Sequence, residues 1–180
     1  MKSKSVLRFE IFSAIFIAVC GTMLHFLYNW TSGNFSVSFF AAINESVWEH
    51  LKLLFFPMLI TTIIGFVFLR PNYPNFLFAQ AISILASLAF IVIFFYTYTG
   101  IIGEHIPLLD IGSFFFAIFI ALFIFNKLIY KEHIFTGSGF IAFLCIFTLC
   151  VSFIVFTYFT PHIPLFKDTT DNTYGVFLNT

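Results

Sequence analysis

Charged side chains divide this chain into five long stretches that hold none. Residues 11–44, 53–69, 71–103, 111–126 and 133–166 contain no Asp, Glu, Lys or Arg. A helix needs about 20 apolar residues to cross the hydrocarbon core of a bilayer, and it satisfies its own backbone polar groups there. Five stretches predict five transmembrane helices, near 7–29, 48–70, 76–98, 107–129 and 138–159. The first stretch exceeds one span, and Asn29-Trp-Thr-Ser-Gly-Asn34 ends its helix in a loop. The prolines of Arg70-Pro-Asn-Tyr-Pro74 force the next turn. The connections at 100–107 and 130–139 are short, so consecutive helices are expected as antiparallel neighbours in one all-α bundle, a single membrane domain over 1–180 with a tail at 160–180.

Composition excludes the other classes. Charged residues make up 9% of the chain, against roughly 25% in a soluble domain. Formal net charge is zero and no basic patch exists, so nucleic acid is not an expected partner; the lipid bilayer is, with a homo-oligomer or another membrane protein beside it. The three cysteines sit in apolar runs, which fits neither a disulfide framework nor a cysteine zinc finger. A cleaved signal peptide competes for the first span, but its apolar stretch runs on to Leu27, beyond the 7–15 residues of a signal core.

Orientation follows from the basic residues. Lys2, Lys4, Arg8, Arg70, Lys127 and Lys131 fall on one side of the bundle, with only Glu10 and Glu132 among the acids. Lys52 and Lys167 fall on the other, with Glu45, Glu49, Glu104, Asp110, Asp168 and Asp171. The N-terminus is therefore expected inside and the C-terminus outside.

Counting 1.5 Å per residue from the span boundaries puts His25, Glu49, His50, Lys52 and Asp110 within about a turn of the outer boundary. Ionisable groups at that depth are costly and tend to mark function. Four of the five histidines, His25, His50, His105 and His162, belong to this side. In Asn44-Glu-Ser-Val-Trp-Glu-His-Leu-Lys52, Asn44 is the expected N-cap, and Glu45, Glu49 and Lys52 are spaced to share one helix face, with His50 pointing away. Two readings stay open. In one, these groups pair with each other as a structural network, with Trp48 and Lys52 as interface anchors. In the other they form a site for a metal, a proton or an anionic head group, built by His25, Glu45, Glu49 and Asp110.

For a metal, the candidate ligands are His25, Glu49, His50 and Asp110, and a divalent ion is the cofactor such a site would take. Glu49 and His50 leave one helix about 100° apart, so a metal site must be assembled across helices. His25, Glu49 and Asp110 are expected to meet, with Glu45 at the rim; the alternative is that Lys52 neutralises Glu49 along the same helix and His25 and Asp110 pair without it. The tail from Pro161 is apolar enough to fold over the outer mouth and bring His162 to the cluster.

Three function classes follow: an enzyme on a lipid-type substrate, with Glu45 or Glu49 as general base and His25 and Asp110 orienting or binding metal; a small transporter component; and an accessory membrane protein. The expected lack of any acid in the inner half of a helix argues against a polar seam and so against transport. Gln80, Ser83 and Ser87 read as a packing stripe on the third helix, and Trp30, Tyr96, Tyr98 and Tyr158 as an aromatic belt.

Leu24-His-Phe-Leu-Tyr-Asn-Trp30, Asn44 through Pro57, Tyr96-Thr-Tyr-Thr-Gly-Ile-Ile-Gly103, Pro161 through Asp168, and Tyr174-Gly175 together resemble a family of small multi-pass membrane proteins found mainly in Firmicutes. It is catalogued as a domain of unknown function, family 6512. The resemblance covers nearly the whole chain and is most specific over the second helix. It implies a bacterial cytoplasmic membrane and one full-length domain, and it carries no activity to transfer.

Overall fold

The computed structural model describes residues 3–131 and 137–175. Five helices carry the chain: α1 Lys4–Trp30, α2 Val47–Phe68, α3 Phe76–Ile102, α4 Pro107–Ile129 and α5 Ser138–Tyr158. Each is long and apolar enough to cross a membrane. Among the described residues there is no strand beyond two isolated bridges, Ser46 with Asp168 and Lys167 with Tyr174. The helices stand within a few residues of the positions expected from charge spacing; the connection from α1 to α2, residues 31–46, is longer than those from α2 to α3 and from α3 to α4.

Helices α2 and α3 are the most enclosed, with α1, α4 and α5 around them. Leu54, Phe55, Ile84, Ala117 and Phe153 fill the middle. A second cluster of Val6, Phe76, Phe125 and Ile129 closes the end where α1 begins, called here the Lys4 end. The outward faces are apolar: Ile15, Phe119, Phe143 and Phe147 are all exposed. A water-soluble monomer rarely exposes apolar surface on this scale, whereas a lipid environment makes it the ordinary state.

The stripe on α3 is buried, as expected of a packing face. Ser83 and Ser87 turn their hydroxyls back onto the carbonyls of Ala79 and Ile84, so these groups are satisfied within their own helix.

One close approach shapes the opposite end, called the Trp30 end. A Cβ on Gly21 of α1 would lie 2.6 Å from the Leu53 carbonyl oxygen of α2 and 2.5 Å from the Phe114 ring of α4. Glycine lets α1 press against α2 there, one turn before His25.

Candidate functional site

The polar groups of the Trp30 end separate into two sets, and the start of α2 decides the division. Its N-cap is Ser46, whose hydroxyl accepts the Glu49 N–H at 3.3 Å. Asn44, the expected cap, instead accepts the Ser46 N–H at 3.0 Å in a turn before the helix. Glu45 therefore lies outside α2, and the helical spacing that grouped it with Glu49 and Lys52 does not apply. Its carboxylate reaches His50 Nε2 at 3.3 Å.

The C-terminal tail fixes Glu45 from behind. Asp168, itself buried, accepts the Glu45 N–H at 2.8 Å, and the Thr169 hydroxyl donates to the Glu45 carbonyl at 3.1 Å. The tail does fold over this end, through the Phe166 ring, whose centre lies 4.8 Å from that of Trp48. His162, however, packs on Tyr174 and does not line the cavity described below.

His50 Nδ1 lies 3.0 Å from the Ser46 carbonyl oxygen. A carbonyl can only accept, so Nδ1 carries the hydrogen. The other nitrogen then faces a carboxylate that also only accepts. Either a second proton or a metal ion has to sit between His50 Nε2 and Glu45. The His25 ring of α1 stands beside this pair, 5.1 Å from the His50 ring centre to centre. Its Nδ1 is buried with no hydrogen-bond partner among the described residues. One donor atom from each of His25, Glu45 and His50 lies within 4.8 Å of the other two. The hydrogen bond from His50, helped by the nearby imidazoles of His50, His25 and His105, holds the Glu45 carboxyl below the usual carboxylate range.

These three residues form part of the wall of a cavity of about 380 Å³. Asp110 of α4 lines the same cavity, as expected, but it is already engaged. Tyr98 donates its hydroxyl to one carboxylate oxygen, and His105 Nδ1 lies 3.4 Å from the other. The Tyr98 oxygen in turn accepts the Ile106 N–H at 3.2 Å. Below the polar rim the walls are apolar, with Leu53, Ile91, Phe95 and Phe114.

Glu49 does not line this cavity. It is 3% exposed and forms an ion pair with Lys52 Nζ at 2.6 Å. The Ile43 N–H and the Thr157 hydroxyl of α5 complete its shell at 3.1 and 3.2 Å. Lys52, expected as an interface anchor, is fully buried and also donates to the Ser38 carbonyl at 2.9 Å. Trp48 likewise packs inward, on Phe153 and Phe166. The pair joins the 31–46 loop, α2 and α5. In place of the expected meeting of His25, Glu49 and Asp110, Lys52 takes Glu49, as in the alternative, but the pairing of His25 with Asp110 does not follow: His25 stands beside His50, and Asp110 is held by Tyr98 and His105.

Two further expectations need correction. Tyr98 and Tyr158 are bonded to Asp110 and Ser38 and are not free belt residues. Glu10 lies inside α1 near its start, buried, and accepts from the Asn126 amide of α4. An acid therefore does occupy the Lys4 half of a helix. The amide that satisfies it is 116 residues away in sequence, which no local pattern reveals. Glu132 lies outside the described residues.

Sequence reasoning gave no role to Asp168 or Thr157, and to Tyr98 only that of a belt residue. The density of polar residues in the tail was the available signal for Asp168; Thr157 sits in an apolar run with nothing to mark it.

A family profile described as "Family of unknown function (DUF6512)" matches residues 1–176, and the chain belongs to that family. No curated protein and no solved structure matches the chain.

Proposed function

We propose that this DUF6512 member is a multi-pass protein of the bacterial cytoplasmic membrane that binds a divalent metal ion of the zinc class through His25, Glu45 and His50. The N-terminus is cytoplasmic and the C-terminus extracytoplasmic, from the distribution of basic residues, so the metal lies toward the outer leaflet of one full-length membrane domain.

The carrying observation is the His50 ring, held by Ser46 with its second nitrogen aimed at a carboxylate 3.3 Å away. Tetrahedral zinc bonds of 2.0–2.1 Å place neighbouring donor atoms roughly 3.3 Å apart. His50 and Glu45 already meet that spacing. Closing the triad from within 4.8 Å asks for a shift of about 1.5 Å at most in side chains that are not fully buried. A carbonyl behind a ligand imidazole fixes its tautomer, as the Ser46 carbonyl does here. His25 supplies a buried nitrogen that has no other occupation.

Elemental analysis of the purified protein tests this, with zinc titration of His25→Ala, His50→Ala and Glu45→Gln. The wild type should carry about one ion per chain, and each substitution should weaken binding at least tenfold. Metal content that is unchanged in all three variants overturns the assignment.

The donor set favours a second reading. Two histidines and one carboxylate leave a coordination position open, the arrangement of catalytic rather than structural zinc. His105 and Asp110 stand in the same cavity as a proton-accepting pair. Together they suit ester hydrolysis: an ion held by His25, Glu45 and His50 would supply an activated water to add to the ester carbonyl, and His105, backed by Asp110, would pass that water's proton to the alcohol as the ester C–O bond breaks. Loss of hydrolysis in His105→Gln with metal content retained would separate this chemistry from metal binding alone.

A further inference from the structure

The cavity has a polar rim and an apolar body, and its walls differ in what lies behind them. Phe26 of α1 and Ile111 and Phe115 of α4 line it, yet each is also an exposed residue. Side chains that border both a cavity and the outer surface mark where the two communicate. At the Lys4 end α1 and α4 are joined: Asn126 donates to Glu10, the Phe9 and Phe125 rings lie 5.6 Å apart, and the Ser3 N–H reaches the Tyr130 hydroxyl at 3.2 Å. At the Trp30 end the cavity stands between them, with the Phe114 ring against Gly21 as its floor. The two helices thus part toward the rim, and the gap between them faces the apolar surroundings of the bundle.

We infer that this cavity is a binding site for a membrane lipid with an anionic phosphate head group, which enters sideways between α1 and α4. The volume of about 380 Å³ lies in the range of small-molecule sites, enough for a head group and the first part of its chains. The chain ends remain in the bilayer and leave through the seam of Phe26, Ile111 and Phe115. The head group meets the rim. A divalent ion there is offset among its ligands by Glu45 alone, and the Asp110 carboxylate is covered by Tyr98 and His105. A phosphate oxygen fits the open coordination position. The head-group preference rests on the metal reading; the lateral entry rests only on the seam.

Photocrosslinking of the full chain tests both. The protein is placed in phosphatidylcholine vesicles containing either phosphatidylglycerol or diacylglycerol, each with a diazirine in its acyl chain, and adducts are mapped by mass spectrometry. Phosphatidylglycerol should label the segments around Phe26 and 111–115 about tenfold above diacylglycerol, a preference of about 1.4 kcal/mol. Ile111→Trp, which narrows the seam at an exposed position, should remove most of this labelling and leave that of Phe147 on α5 unchanged. Phe26→Trp narrows the seam from α1 and serves should the first variant fold poorly.

Labelling spread evenly over Phe119, Phe147 and the seam, and unchanged in both variants, overturns the inference. So does equal competition by water-soluble glycerol phosphate, which would assign the site to a free anion. Protein that holds no metal but keeps seam labelling retains the lipid site and refutes the metal reading alone. Protein that holds metal but labels evenly does the reverse.

Discussion

Replacing Lys52 by Met removes the ammonium and keeps most of the side-chain volume. It leaves the Glu49 carboxylate 3% exposed with two neutral donors, the Ile43 N–H and the Thr157 hydroxyl. Breaking a buried ion pair in this way costs about 3–5 kcal/mol, because the remaining charge has lost its counter-charge but not its burial. Glu49→Gln is the converse. It strands the Lys52 ammonium beside the carbonyls of Ser38 at 2.9 Å and Ala41 at 3.5 Å, at a similar cost of about 3–5 kcal/mol.

The double variant holds no buried charge at this position. Its remaining penalty is that of the under-bonded carbonyls, about 1–3 kcal/mol. The two single costs should therefore exceed the double cost by several kcal/mol, far outside the roughly 0.5 kcal/mol within which independent sites add. Unfolding by SDS titration in mixed micelles measures all four corners of the cycle. Zinc content provides the second readout: neither residue lines the cavity, so the double variant should keep its metal. Single costs below about 1 kcal/mol, or costs that add, would refute the assignment of Glu49 to a buried structural pair.

Asp168→Ala removes the acceptor of the Glu45 N–H without touching a proposed ligand; zinc affinity should fall about 10- to 100-fold in a competition titration, as for other outer-shell partners. Gly21→Ala would place its Cβ against the Leu53 backbone oxygen, which cannot rotate away as the Phe114 ring can; an overpacking cost of about 1–3 kcal/mol is expected in the same SDS assay, with weakened metal binding from the displaced α1. The depressed carboxyl of Glu45 sets the acid side: its stabilising contribution is present above the ordinary carboxylate range and lost only as pH falls through the lowered value. Metal release on acidification should therefore follow protonation of the histidines, as protons compete with the ion for His25 and His50, ahead of the Glu45 carboxyl. Release confined to pH below about 4 would contradict histidine ligation. Cysteines at positions 36 and 172 should react with an impermeant thiol reagent from outside, and one at 72 only from inside; position 136, the other inside probe, lies outside the described residues.

The five helices were legible in the sequence because charge spacing and hydropathy are properties of each segment alone. The lack of charge over residues 71–103 marks a helix long and apolar enough to cross a membrane, whatever packs beside it. The same one-dimensional reading brought the right elements to one end of the bundle: His25, His50 and Asp110 all line one cavity. It did not say which carboxylate goes where. Glu45 and Glu49 are four residues apart and alike in chemistry, and their division turns on α2 starting after Ser46 rather than after Asn44. Asp168, more than 120 residues away, holds the Glu45 backbone outside that helix. Ser38, Ile43 and Thr157, brought in by the loop and α5, make a buried place for Glu49 and Lys52. A buried charge goes where its partners are, and partners from distant segments exist only once the helices have packed. That is why the tertiary structure, and not the local pattern, decided that Glu49 braces the bundle while Glu45 faces the cavity.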